Sequence, residues 1–194
     1  MYLVNFSGWV VGAFTIVHVT AHFGMSGSLV VGVSSQLIAY CLNCWKPPFP
    51  LFAVSFFFSG LGVAYQDATA NTFIASLDNA HRWLGIMHAI YGLGAFVTPL
   101  AATGLASKTP YWHFFYLILL GCTASNLGLQ LWAWRKELFK PSGGDVGANK
   151  QLAAALSDRG VWVLSLFFFL YVGSEVTAGG TLSYYPSLKD NGRD

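Results

Sequence analysis

One acidic residue, Asp67, lies in one of the most apolar parts of this sequence and is the first candidate for chemistry. It follows the run LFAVSFFFSGLGV, with Gln66 beside it and Asn71 four residues later, one helical turn away on the same face. A charge near the centre of a bilayer costs on the order of 3 kcal/mol even on the most lenient scale. Asp67 therefore needs either a bonding partner on a neighbouring helix or a wet cavity in which it binds protons or solute.

Two other apolar segments also carry titratable groups. His88 and Tyr91 lie about one turn apart in WLGIMHAIYGLGAFVTPLAATGL, and Glu175 lies in FLYVGSEVTAGG. Packing could satisfy each of them separately. However, histidine titrates near neutrality, and desolvation raises the pKa of a carboxyl group toward the same range. Polar groups at middle depth in three segments therefore predict a cluster that shares protons or binds a solute together with Asp67.

Two further spacings are typical of metal ligands. His18 and His22 are four residues apart, and Cys41 and Cys44 form a C-x-x-C. The five histidines of the chain are too few for the several histidine boxes of a membrane di-iron enzyme, and the cysteines have no further ligands nearby. We therefore expect no metal, no cofactor and no enzymatic activity. A metalloenzyme using His18 and His22 is kept as an alternative.

The composition points to a lipid environment for all of these residues. Hydrophobic residues make up 55% of the 194 residues and charged residues only 9%, against about 25% charged in an ordinary soluble domain. The net charge of +2 is small and the basic residues form no stripe, which excludes a nucleic-acid-binding protein. We predict an all-α integral membrane protein whose surroundings are the bilayer.

Six apolar segments are about long enough to span a bilayer as helices. They lie at residues 6–23, 29–45, 50–76, 83–104, 111–134 and 161–183. The long polar break before the last span contains several glycines and predicts a flexible linker. Because Lys and Arg mark the cytoplasmic side, Arg135 and Lys136 at a helix end place this linker in the cytoplasm and both termini outside.

Two sequence stretches resemble a known transporter family. The stretch GLGVAYQDATANTFIASLDNAHRWLGIMHAIYGLGAFVTPL resembles the fourth and fifth helices of major facilitator superfamily transporters, in the fungal branch related to the fucose:proton symporter. VWVLSLFFFLYVGSEVTAGG is similar to the seventh helix of that branch. The resemblance implies helices two to six at 1–135, a cytoplasmic linker at 136–160, and the first helix of the second half with a divergent tail at 161–194.

The resemblance also implies a function. Asp67 matches the family's acidic residue before an Ala-Asn pair, here Ala70 and Asn71, which takes part in proton-coupled sugar recognition. His88 and Tyr91 match positions in the fifth helix that face the sugar. The implied activity is transport of a small solute, such as a sugar, by alternating access coupled to protons. The implied location is the plasma membrane or an internal membrane.

The sequence also departs from that family. The first helix and helices eight to twelve are missing, and the usual Asp-Arg followed by Gly after the second helix is replaced by Ala21, His22 and Gly24. The end of the chain, TLSYYPSLKDNGRD, differs from the family's continuation. These departures keep two alternatives open: an inactive truncated transporter, and a membrane sensor or interaction protein that transports nothing.

Overall fold

The computed structural model describes residues 1–45, 47–108, 113–138, 140 and 145–190. Within these ranges, side chains are described except at residues 106, 108, 145–148, 151, 175, 176 and 178–190. The described chain is helical and contains no β-strand within those ranges. This confirms the prediction of an all-α protein.

Six helices make up the described chain. They are α1 (Tyr2–Asn43), α2 (Phe49–Ala75), α3 (Ala80–Lys108), α4 (Phe114–Ala133), α5 (Asp145–Ser157) and α6 (Arg159–Asp190). The first four are long and apolar enough to cross a membrane, whereas the apolar part of α6, Arg159–Ser174, is shorter. The first two predicted spans lie in the single helix α1, and four helices are long and apolar enough to cross a membrane. The number of six spans therefore stays a prediction.

The break between those two predicted spans is confined to Gly24. Its φ of 72° and ψ of 177° are non-helical, while the residues on either side of it are helical. Glycine is the residue that adopts such a conformation without a steric penalty. A Cβ atom at this position would also collide with the carbonyl oxygen of Lys140. Gly24 therefore allows the kink and the close approach of the segment that follows α4.

The two halves of α1 run in opposite directions along α2. Near the start of α1, Asn5 donates a hydrogen bond from Nδ2 to the carbonyl of Phe56 at 3.2 Å. At the end of α1, Asn43 accepts a hydrogen bond from the hydroxyl of Ser55 at 2.7 Å. Since Ser55 and Phe56 are neighbours in α2, both ends of α1 lie at the same level of α2. The chain must therefore fold back at Gly24.

Small residues bring the two halves of α1 close to α2. Gly8 and Gly12, which form a G-x-x-x-G, are both buried. A Cβ on Gly12 would lie 2.7 Å from the Cβ of Ala64, and one on Gly62 would lie 2.5 Å from the carbonyl oxygen of Gly32. Such contacts are typical of membrane helices, which associate by close packing because lipid supplies little hydrophobic drive between helices.

The sequence contains two G-x-G pairs, each near a polar residue, which predict helices beside a cavity, and the structure places the two pairs in different surroundings. Gly60 and Gly62 are buried in the packed interface with α1, so for this pair the cavity prediction is wrong. The reason is that a missing side chain permits backbone contact as readily as it opens space. Gly92 and Gly94 of α3 have no atom within 4 Å of a built Cβ, so this pair lies on an open face.

Aromatic side chains join α4 to the other helices. The ring of Tyr116 lies 6.5 Å from that of Tyr40 and 6.2 Å from that of Phe52. Near the other end of α4, Trp134 meets Phe73 edge to face at 5.3 Å. Edge-to-face pairs at this separation are favourable beyond the area they bury. The helices α1, α2 and α4 form the packed core, and most side chains of α3 are exposed.

The chain divides into two compact units, Met1–Asn149 and Lys150–Asp194. The segment predicted to be a flexible linker at 136–160 contains the helix α5, and its run of alanines explains this because alanine has the highest helix propensity. In the second unit, Trp162 donates from its indole N–H to the carbonyl of Leu156 at 2.8 Å. The predicted division at 135 and 160 stays a prediction.

Candidate functional site

Asp67 and Asn71 form a hydrogen-bonded pair on α2. The amide nitrogen Nδ2 of Asn71 donates to the carboxylate Oδ1 of Asp67 at 3.0 Å and to the main-chain carbonyl of Asp67 at 2.9 Å. The predicted placement of the two residues on one helix face is therefore confirmed. Among the described residues, Asp67 forms no ion pair with a cation.

Asp67 lies on the face of α2 that points away from α1. Ala64, Tyr65 and Thr69 are buried against α1, while Asp67 and Thr72 are exposed. A carboxylate on the outer face of a helix that crosses a membrane meets lipid at a cost of about 3 kcal/mol unless water or protein covers it. The alternative in which Asp67 ties two helices together needs a partner on another helix. In the described part of the chain, its hydrogen-bond partner is on its own helix.

The other predicted site residues are not drawn into contact with Asp67 within the described ranges. His88 and Tyr91 are exposed on α3, with Tyr91 69% exposed. Neither hydrogen-bonds to Asp67 or Asn71. Glu175 lies within α6, but its side chain lies outside the described residues. The cluster of shared protons therefore stays a prediction.

Gln66 belongs to a second polar group, which sequence reasoning missed. Asn126 of α4 donates from Nδ2 to Oε1 of Gln66 at 3.2 Å, and Gln130 donates from Nε2 to Oδ1 of Asn126 at 3.4 Å. We call Gln66, Asn126 and Gln130 the amide chain. Its signal in the sequence was the i, i+4 spacing of two amides in the apolar run SNLGLQLW.

Hydroxyl groups hold the other face of α2 to α1. Thr15 donates to the carbonyl of Val11 at 2.6 Å, so the hydroxyl of buried Tyr65 is the donor in its 2.7 Å bond to Thr15. Ser28 and Thr69, both buried, bond to each other at 3.2 Å. Because buried polar groups are costly without partners, these bonds fix the position of α2. They therefore fix the direction in which the Asp67 face points.

The two histidines with metal-ligand spacing have other partners. His22 Nδ1 donates to the carbonyl of His18 at 2.9 Å, and His18 Nε2 lies 3.0 Å from the amide oxygen of Asn149. No group of three or more His, Cys, Asp or Glu residues that could hold a metal occurs among the described residues. Nothing in this geometry supports the metalloenzyme alternative.

The two cysteines of the C-x-x-C are free thiols at the end of α1. Cys44 donates from Sγ to the carbonyl of Tyr40 at 3.0 Å. Burial raises the pKa of the Cys44 thiol, and the nearby Cys41 raises that pKa further. Cys44 is thus less ionised at neutral pH than an ordinary cysteine, which makes it a poorer nucleophile and metal ligand.

Comparison with known proteins gives one distant similarity. The chain is 26% identical over 212 residues to "Bypass of stop codon protein 6" of Saccharomyces cerevisiae, an alignment that covers 95% of this chain and 42% of the yeast protein. The chain thus spans less than half the length of this relative. No protein-family model matches the chain, and no solved structure matches it.

Proposed function

We propose that the chain is part of a multi-pass membrane transporter of the major facilitator type. Its cargo is a small solute, such as a sugar, moved by alternating access and coupled to protons. The observation that carries this proposal is the carboxylate of Asp67. It is exposed on a helix long and apolar enough to cross a membrane, and its described hydrogen-bond partner is the neutral Asn71.

The Asp67–Asn71 pair has the chemistry that proton coupling needs. The charged carboxylate accepts the N–H of Asn71, and proton binding to its other oxygen removes the charge. A neutral carboxyl is far cheaper to bury than a charged one, so protonation favours states in which this face is closed off from water. The amide oxygen of Asn71 has no hydrogen bond in the described part of the chain and can accept one from a solute hydroxyl beside the carboxyl group.

The packing of α2 supports this assignment. Bonds through Tyr65 and Thr69 and the close contact at Gly62 fix α2 against α1 on the side opposite Asp67. The Asp67–Asn71 pair thus lies on a helix that is fixed in position, while the face of α2 that carries Asp67 stays exposed. In such transporters the solute site lies near the bilayer midplane. We propose that the open face of α2 lines the path of the solute, with the 136–160 segment in the cytoplasm.

A second candidate is a membrane interaction protein that moves no solute. It is favoured by α3, where His88 and Tyr91 are exposed and Gly92 and Gly94 face open space. Small residues on an exposed membrane helix allow another helix to approach closely. In this case Asp67 is a polar contact for a partner protein and not a proton carrier.

Uptake by sealed vesicles tests the proposal. The full chain is purified and reconstituted into liposomes, and a pH gradient is imposed. The accumulation of radiolabelled hexoses, pentoses and polyols is measured by counting radioactivity, and proton entry is followed with a pH-sensitive dye inside the liposomes. We expect accumulation of at least one solute together with proton entry, and collapse of both by a protonophore. If no solute moves and protons do not enter, while cross-linking captures a stoichiometric membrane partner, the interaction protein is the correct description.

A further inference from the structure

The amide chain between α2 and α4 ends in an acceptor without a donor. Gln66 accepts from Asn126, and Asn126 accepts from Gln130. The carbonyl oxygen Oε1 of Gln130 is buried and has no hydrogen-bond partner among the described residues. Leaving such a buried acceptor unsatisfied carries a free-energy cost. A donor at this position would remove that cost.

Joining the helices does not explain the buried oxygen of Gln130. The bond between helices is the one from Asn126 to Gln66, whereas the bond from Gln130 to Asn126 lies within α4. The rings of Trp134 and Phe73 also join α4 to α2. Nε2 of Gln130 donates to Asn126 and so completes the amide chain, but Oε1 of Gln130 takes part in neither bond. Packing therefore accounts for the nitrogen of the Gln130 amide and not for its oxygen.

We propose that Gln130, at the end of the amide chain, binds an uncharged hydroxyl group, supplied by water or by a small polyol. The three members are neutral amides, and no charged side chain hydrogen-bonds to any of them in the described ranges. Burying an ion beside them without a countercharge is expensive. The ligand that fits is neutral.

The direction of the amide chain is set at Gln66. Nε2 of Gln66 donates to the carbonyl of Gly62 at 3.4 Å, and turning over all three amides would place the carbonyl oxygen of Gln66 there instead. The buried end of the chain is therefore the acceptor Oε1 of Gln130, to which a hydroxyl can donate. The site is separate from the Asp67–Asn71 pair and does not depend on the proposed transport.

Ligand-dependent thermal stability tests this site in the purified full chain. Unfolding is followed by tryptophan fluorescence while glycerol, sorbitol or glucose is added, and betaine serves as an osmolyte without hydroxyl groups. Above its Kd, a bound polyol raises the melting temperature in proportion to the logarithm of its concentration, by about 5 °C or more at a hundred times its Kd. The rise should be absent in Gln130→Leu and retained in Ser125→Ala, an exposed polar residue of α4 whose hydroxyl bonds within its own helix.

Structure determination with and without polyol distinguishes the two sources. If no polyol gives this rise, an ordered water within about 3 Å of the Gln130 amide identifies water as the ligand. If Gln130→Leu does not fold, Gln130→Asn shortens the amide and should also lose the polyol effect. The proposal is overturned if no density lies beside the Gln130 amide and polyols either have no effect or act alike on the wild type and the variants. Since none of these measurements involves uptake, a failed transport assay leaves the result unaffected.

Discussion

Asn71 donates to the carboxylate of Asp67 from one turn away on the same helix, at 3.0 Å, on the face of α2 that α1 leaves uncovered. The pair is therefore local in sequence, and it forms wherever α2 is helical. Tertiary structure determines the direction in which the pair points. Tyr65 and Thr69 anchor the opposite face to α1, so the pair cannot rotate into the packed core without breaking those bonds.

Replacing Asn71 should weaken proton-driven uptake. Asn71→Leu removes the N–H donor of the Asp67 carboxylate and the amide oxygen that we propose accepts a solute hydroxyl. Since a typical hydrogen bond contributes about 1 kcal/mol, the KM for the solute should rise about fivefold. Uptake in reconstituted vesicles at varied solute concentration checks this. Thr72→Val is the matched control, because Thr72 is exposed on the next position and bonds to a carbonyl of its own helix. An unchanged KM in Asn71→Leu contradicts the proposed role of the pair.

The close contact at Gly62 should make this position intolerant of a side chain. In Gly62→Ala the new Cβ would lie 2.5 Å from the carbonyl oxygen of Gly32, so the helices must move apart. We expect a loss of about 1–3 kcal/mol of stability, measured as a lower melting temperature in detergent. Gly92→Ala is the control because its Cβ meets open space. It should be neutral or stabilising, since alanine favours helix by about 1 kcal/mol over glycine. Equal effects of the two changes would argue against the packing of α1 on α2.

A side chain at Gly24 should disturb the reversal of α1. Alanine pays a strain of about 1–3 kcal/mol at a φ of 72°, and its Cβ meets the carbonyl oxygen of Lys140. Gly24→Ala should therefore reduce the yield of folded protein and its melting temperature in detergent, relative to Gly85→Ala, which has open space. A yield and melting temperature at the wild-type level in Gly24→Ala would show that the reversal does not depend on this residue.

The reactivity of Cys44, one residue beyond the end of α1, gives a further prediction. Because burial and the neighbouring Cys41 both raise the pKa of the Cys44 thiol, its thiolate should form only at alkaline pH. Its alkylation rate should keep rising with pH beyond about 8.5, the ordinary value for cysteine. Removing one cause, in Cys41→Ser, lowers the pKa and should speed the reaction at pH 8. Site-resolved mass spectrometry measures the rate, and Cys122→Ser should leave it unchanged.

The parts of the structure that sequence predicted are those set by local patterns. Apolar length predicts the helices α1 to α4, the four-residue spacing predicts the contact of Asp67 with Asn71, and the glycines at 8 and 12 predict a close helix contact. These patterns need no knowledge of which helices are neighbours.

The parts that sequence missed depend on neighbouring helices. Asn126 gains its role only because α4 lies beside Gln66, and the glycine pair at 60 and 62 could equally have lined a cavity. The position of His88 relative to Asp67 depends on how α3 packs, which its own pattern does not specify. The spacing of small or neutral polar residues within one helix does not specify which other helix they contact.

Asp67→Asn separates the two explanations of this carboxylate. The amide is nearly isosteric and cheaper to bury, so membrane insertion should be preserved if Asp67 faces a cavity and binds a proton. Proton-driven accumulation of solute in sealed vesicles should then be lost, while exchange of labelled for unlabelled solute continues, because exchange needs no net proton movement. If Asp67 instead holds a helix contact, the same change should lower the melting temperature and leave the pH dependence of any transport unaltered.

The control for that experiment is Asp78→Asn, which removes an exposed carboxylate in the loop between α2 and α3. It makes the same change of charge outside the span and should leave both accumulation and exchange at wild-type levels. Normal pH-dependent accumulation in Asp67→Asn would rule out proton coupling at this residue. Loss of accumulation in both variants would indicate that the net charge of the protein affects accumulation, because removal of one negative charge is the change that the two variants share.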